Sequence, residues 1–200
     1  MGTPSYVLTR RGAAALEAMG LQTVHGLDLT SIAGATFAHR QLGNCAGLHF
    51  IGRGDDAYGE HAILHGLAPV GRRELGERFG KLPDLIVVRK EHGARAAIWC
   101  ETEMAAKAMG ELRRCARLVL MTGRSLDANG RLPLSRVGFI FDGAHAHASR
   151  IRRAFTEEFG HRPPRERDAL ASRIILFSAR IGPRVRWKGL SEERLFPDGC

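Results

Sequence analysis

Two short apolar runs, LIVV at 85–88 and AAIWC at 96–100, flank the polar stretch RKEHGAR. Runs this brief, bounded by charged residues and a glycine, have the length and residue types of strands rather than helices. The spacing predicts a β-hairpin, with strands Leu85–Val88 and Ala96–Cys100 and a turn over Lys90–Arg95 around Gly93. Three acids, Asp84, Glu101 and Glu103, stand at the outer ends of those strands. A carboxylate close to a sheet face needs a cation or another partner. In a hairpin the start of the first strand lies beside the end of the second, so Asp84 and Glu101 become neighbours. Glu103, two residues on, shares a face with Glu101 if the strand continues that far.

Elsewhere the pattern is mainly helical. RRGAAALEAMG reads as a helix with Thr9 as its N-cap and Gly20 as its stop, after a short strand at Tyr6–Leu8. In TFAHRQLGNCAGLHFIGRG the residues Phe37, Leu42, Cys45, Leu48 and Ile51 approach helical spacing and predict a buried helix. Tyr58–Leu67 reads as a weaker helix containing Glu60, and 69–81 as a basic, glycine-rich loop. Met104–Met121 is expected to be one helix, with Lys107 in its first turns and Leu112, Cys115 and Val119 on one face. Val137–Phe141 is a third strand, Ala146–Phe159 a helix, HRPPRERD a loop, Ile174–Phe177 a fourth strand and Val185–Trp187 a fifth. This order implies an α/β domain around a central mixed sheet.

The 200 residues suit one domain, or one domain with a small appendage. No apolar run approaches the roughly 18 residues of a membrane span. The N-terminal stretch lacks the apolar region of a secretory signal, and Tyr6 breaks the myristoylation pattern. Cys45, Cys100, Cys115 and Cys200 include no CxxC pair, so reduced core thiols in a cytoplasmic protein are expected.

The net charge of +9 is unevenly placed. Residues 1–112 hold 12 basic and 12 acidic side chains, whereas residues 113–200 hold 18 basic against 9 acidic. A GC-rich coding bias explains arginine in place of lysine, with 26 Arg to 4 Lys, but not the shortage of acids. The excess points to a polyanion, most simply DNA. Candidate phosphate contacts are Arg113, Arg114, Arg117, Arg150, Arg152, Arg153, Arg184, Arg186 and Lys188. Trp187, inside RVRWKG, is either a base-stacking residue or, more simply, a buried anchor.

Pro83-Asp84, an apolar strand, a turn, a second apolar strand and Glu101-x-Glu103 together resemble the PD-(D/E)xK nuclease superfamily. Glu103 stands where the common pattern has lysine, and Lys107 matches a lysine migrated to the adjacent helix. Glu60 matches the additional acid that many members carry before the motif. A narrower likeness covers about residues 5–120: YVLTRRGAAAL, the His39-Arg40 helix, PDLIV and WCETEMAAKAMGEL are similar to the replication-relaxation family of plasmid and mobile-element proteins. These combine a winged helix with a nuclease-like domain, and this chain lacks most of the winged helix. The resemblance implies a winged-helix remnant at 1–35 and a restriction-endonuclease-like mixed sheet flanked by helices at 36–195. It implies DNA as partner, with relaxosome or replication proteins beside it. If the domain cleaves, Asp84, Glu101 and Glu60 would hold Mg2+, Glu103 would ligate or orient water, and Lys107 would stabilise phosphate charge. The alternatives are a version that only docks on DNA, and a protein-interaction module with a basic surface.

Other constellations are weaker. Asp142, His145 and His147 lie in a loop and helix start with no reason to converge, and His61 and His65 lack the HExxH order. GRGDDAYG matches no phosphate loop, and neither Ser149 nor Ser178 sits in a nucleophile elbow.

Overall fold

A computed structural model describes residues 10–20, 34–91, 93–103, 107–143, 147–182 and 186–197. Its centre is a six-stranded mixed sheet in sequential order. The strands are β1 (Asp56–Gly59), β2 (Leu85–Glu91), β3 (Ala94–Glu103), β4 (Leu134–Asp142), β5 (Ile174–Gly182) and β6 (Arg186–Arg194). β2 runs antiparallel to both its neighbours, β1 and β3; β3, β4 and β5 run parallel, and β6 turns back antiparallel. The helices are α1 (Arg10–Glu17), α2 (Gly34–Gly52), α3 (Glu60–Leu64), α4 (Arg72–Phe79), α5 (Met109–Arg117), α6 (His147–Phe159) and α7 (Pro164–Ala171).

Both sheet faces are covered, which is why the central strands read as near-continuous apolar runs. On one face Leu85, Val87, Ile98, Cys100, Ile140 and Phe177 pack against Leu42, Ala46 and Phe50 of α2. On the other face Ile86, Trp99, Val137, Phe139 and Leu176 meet Leu75 of α4, Leu112 and Cys115 of α5 and Phe155 of α6. Alternation along β3 therefore sends Trp99, Glu101 and Glu103 to the α5 side and Cys100 and Thr102 to the α2 side. Gly138 is fixed by close approach: a Cβ there would lie 2.8 Å from the Phe177 ring and 2.9 Å from the Cys100 sulfur.

Several expectations are corrected. The five strands predicted from Leu85 onwards are longer in the structure, because sheet pairing extends through polar residues that carry no apolar signal. The weak helix at Tyr58–Leu67 is β1 followed by one turn, α3. The expected loop at 69–81 contains α4, and HRPPRERD contributes the start of α7, with Pro164 at the first helical turn where its missing N–H costs nothing. The helix expected at Met104–Met121 is α5 followed by a 3-10 turn, Leu118–Met121; Lys107 precedes it, and Met104 is outside the described residues. Within α2 the inward face is Leu42, Ala46 and Phe50, while Leu48 and Ile51 are exposed. The strand expected at Tyr6–Leu8 and the Thr9 cap also lie outside the described residues.

Candidate functional site

The ends of β2 and β3 place the three acids where the hairpin predicted, but in two compartments. Asp84 immediately precedes β2. Its Oδ2 accepts the Thr102 amide at 2.7 Å, and its Oδ1 lies 3.2 Å from His39 Nε2, which α2 brings to the sheet end. Burial alone would raise the Asp84 pKa, but the His39 and Thr102 hydrogen bonds outweigh it and hold the carboxyl below its ordinary value. The same hydrogen bond holds the His39 imidazole above its ordinary value, against the opposing effect of burial.

Glu101 and Glu103 are each only 1% exposed, on the α5 side. Glu101 Oε1 accepts the Trp99 indole N–H at 2.7 Å. Its Oε2 accepts from the Lys81 ammonium, and Lys107 Nζ stands 3.8 Å away. Lys107 donates to Glu103 at 2.7 Å. Burial pushes both glutamate pKa values up, with the lysines pulling the other way. Both lysines in turn are held above their ordinary value by the acids, against desolvation. The Cys115 thiol closes the cluster, 3.4 Å from Lys81, and burial pushes it up.

Lys81 belongs to this centre and no sequence pattern marked it. It follows Gly80, whose φ of 68° gives the left-handed turn that ends α4 and directs the chain back towards β2. The readable signal was a lysine in KLPD, three residues before Asp84. His39 was readable only as part of the family likeness.

The implied Mg2+ set is not assembled. Glu60, 46% exposed, faces Arg40 at 3.5 Å rather than Glu101. Asp84 is occupied by His39 and a backbone amide, and Glu101 by Lys81 and Trp99. Among the described residues no three His, Cys, Asp or Glu side chains are gathered as a metal ion requires. The oxygen chemistry suits a hard cation, but in this arrangement ammonium groups hold the positions a cation needs, so the side chains as placed do not fit one.

The candidate phosphate contacts divide. Arg113 and Arg117 of α5 reach Glu157 and Glu158 of α6 at 3.9 and 3.4 Å, and Arg153 reaches Glu157 at 2.7 Å. Arg114 faces Glu111 at 3.9 Å, Arg150 donates to the Lys107 carbonyl at 2.6 Å, and Arg152 donates to the Leu195 carbonyl at 2.6 Å. Arg184 lies outside the described residues, and for Arg186 only the backbone is described. Lys188 of β6, together with Arg180 of β5, which the sequence reading passed over, has no acid partner among the described residues. Trp187 is half-buried against the α2-side core, with its ring 6.3 Å from that of His49. The His61 and His65 rings lie with centroids 4.3 Å apart, tilted by 49°.

The chain is thus a mixed α/β domain with a buried carboxylate–lysine centre at one end of its sheet. No protein-family model, curated protein or solved structure matches it. Among the described residues no helix is long and apolar enough to cross a membrane.

Proposed function

We propose that the chain is a cytoplasmic DNA-binding accessory protein, serving replication, relaxation or mobilisation of a plasmid or other mobile element. In this reading its 36–195 domain is restriction-endonuclease-like and docks on DNA without cutting it. The observation that carries the reading is the shared end of β2 and β3. Pro83-Asp84 leads into one strand and Glu101-x-Glu103 ends its antiparallel neighbour, with Lys107 2.7 Å from Glu103, in the order the nuclease pattern has. Docking is favoured over Mg2+-dependent cleavage because lysines already neutralise the acids.

The DNA side of the reading rests on charge. β3, β4 and β5 are parallel neighbours, so Glu103, Phe141 and Ser178 stand at one level of the sheet. Arg180 is two residues beyond Ser178, about 7 Å further towards that end. Its partner on the antiparallel strand β6 is Gly189, and Lys188 is the next residue, at the register shift. Cations with no acid partner among the described residues, at the same end of the sheet as the acid centre, give a phosphate backbone a place to lie, and each contact releases counterions.

Fluorescence anisotropy of a labelled duplex over a salt series tests this. Binding that weakens steeply with salt, with supercoiled plasmid left intact in Mg2+, is the expected result. Nicking of the plasmid would restore the endonuclease reading. Salt-independent or absent DNA binding would leave an acidic protein partner as the better account of the basic surface.

A further inference from the structure

The Mg2+ that the nuclease likeness implies and the lysine that the structure places against Glu101 compete for one carboxylate. Glu101 is 1% exposed, and its two oxygens are already divided between an indole N–H at 2.7 Å and an ammonium group. The ammonium comes from Lys81, whose side chain is 40% exposed, so the charge reaches the buried acid from the surface. Lys107 spans the two glutamates, 2.7 Å from one and 3.8 Å from the other, and is committed chiefly to Glu103. Counted as charges, Asp84, Glu101 and Glu103 are matched by His39, Lys81 and Lys107 once the imidazole is protonated, which its contact with Asp84 favours. A divalent ion entering this neutral group would meet two ammonium groups within a few ångströms of its ligands.

We propose that Lys81 is the resident cation of this centre: it holds the position beside Glu101 that a divalent ion would take, and it keeps the centre metal-free. Two features make Lys81 the removable member. It lies on the short connection between α4 and β2, outside β3, which carries both glutamates. It is the more exposed of the two lysines, at 40% against 27%. Without Lys81, Glu101 keeps only Lys107 at 3.8 Å, and the cluster carries net negative charge around oxygen donors. The inference concerns the acid centre alone and is independent of whether DNA is the partner.

The test is Mn2+ binding by calorimetry, and Mn2+-dependent melting, on wild type, Lys81→Gln, Lys81→Arg and the double variant Lys81→Gln/Glu101→Gln. Wild type and Lys81→Arg are expected to show no uptake at millimolar Mn2+ and no change in melting temperature. Lys81→Gln is expected to bind at least tenfold more tightly than wild type and to be stabilised by the ion, and the double variant is expected to lose both effects. If Lys81→Gln does not fold alone, recovery of folded protein on refolding with Mn2+ supports the proposal, and failure to recover overturns it. Wild type binding Mn2+ as tightly as Lys81→Gln overturns it, as does a folded Lys81→Gln that takes up no ion, or a double variant that still does.

Discussion

At the end of β3 each charged side chain of the acid centre has an internal partner, whereas on the neighbouring β5–β6 pair Arg180 and Lys188 have none among the described residues. The two regions share one end of one sheet. In the first, two glutamates at 1% exposure would be prohibitively desolvated without ammonium groups beside them. Charge there is spent on internal compensation, and little field remains for a ligand. In the second, the cations stay solvated, where an isolated charge costs little and remains free to meet a phosphate. Proximity in the fold therefore does not make charged residues equivalent. What separates them is whether a fixed partner already satisfies them.

The largest expected effect breaks the first region. Lys81→Met removes the principal counter-charge of a buried carboxylate, a change that costs about 3–5 kcal/mol where both partners are buried. Solvent around the 40%-exposed Lys81 and the second ammonium of Lys107 at 3.8 Å bring the expected loss down to about 2–3 kcal/mol. Urea unfolding measures the loss, and a change below 1 kcal/mol would mean that water already solvates Glu101. Next in size is the second region. Arg180→Ala/Lys188→Ala should lower the salt slope of DNA binding by about 2 and weaken binding roughly thirtyfold at physiological salt, with stability unchanged. An unaltered slope in a wild type that binds DNA would move the interface elsewhere.

The hairpin and its acids were legible because strand alternation and turn chemistry are local. LIVV and AAIWC bury both faces, and Gly93, with φ of 83°, makes the turn. What those acids contact was not local. Lys81 reaches Glu101 across 20 residues, and His39 reaches Asp84 from α2, so neither pairing leaves a periodic trace. β1 and α4 were hidden for a related reason. DAYG and RRELGERF carry few apolar residues, and their stability comes from an adjacent strand in one case and from Leu75 buried against the core in the other. Arg113 and Arg117 of α5 were counted as free because the sequence could not show that Glu157 and Glu158 would face them.

A subtler effect lies in the pH dependence of the His39–Asp84 contact. His39 is held above its ordinary value of 6.5, so its contribution is complete below that pH and is lost as pH rises through the raised folded value. Asp84, held below its ordinary 3.8, contributes above that pH and loses the contribution as pH falls through its lowered folded value. Thermal melting of wild type and His39→Gln should therefore differ most near pH 5–6 and converge as pH rises past the raised His39 value. A gap that stays constant across the range would mean that the contact is a neutral hydrogen bond.

The smallest effect sharpens the comparison from the other side. Arg113 and Arg117 are about half exposed and face Glu157 and Glu158 at 3.9 and 3.4 Å. Such surface pairs are worth about 0.2–1 kcal/mol. Arg113→Ala/Arg117→Ala should cost no more than that per pair in urea unfolding and leave the DNA salt slope untouched, because both cations are already satisfied between α5 and α6. The net charge falls by the same two units as in Arg180→Ala/Lys188→Ala, so the pair of double variants separates total charge from unpartnered charge. If both lower the slope equally, the protein presents DNA with a diffuse positive field. If only the second does, the β5–β6 ribbon is where the phosphates lie, and Arg113 and Arg117 serve to fasten α5 to α6.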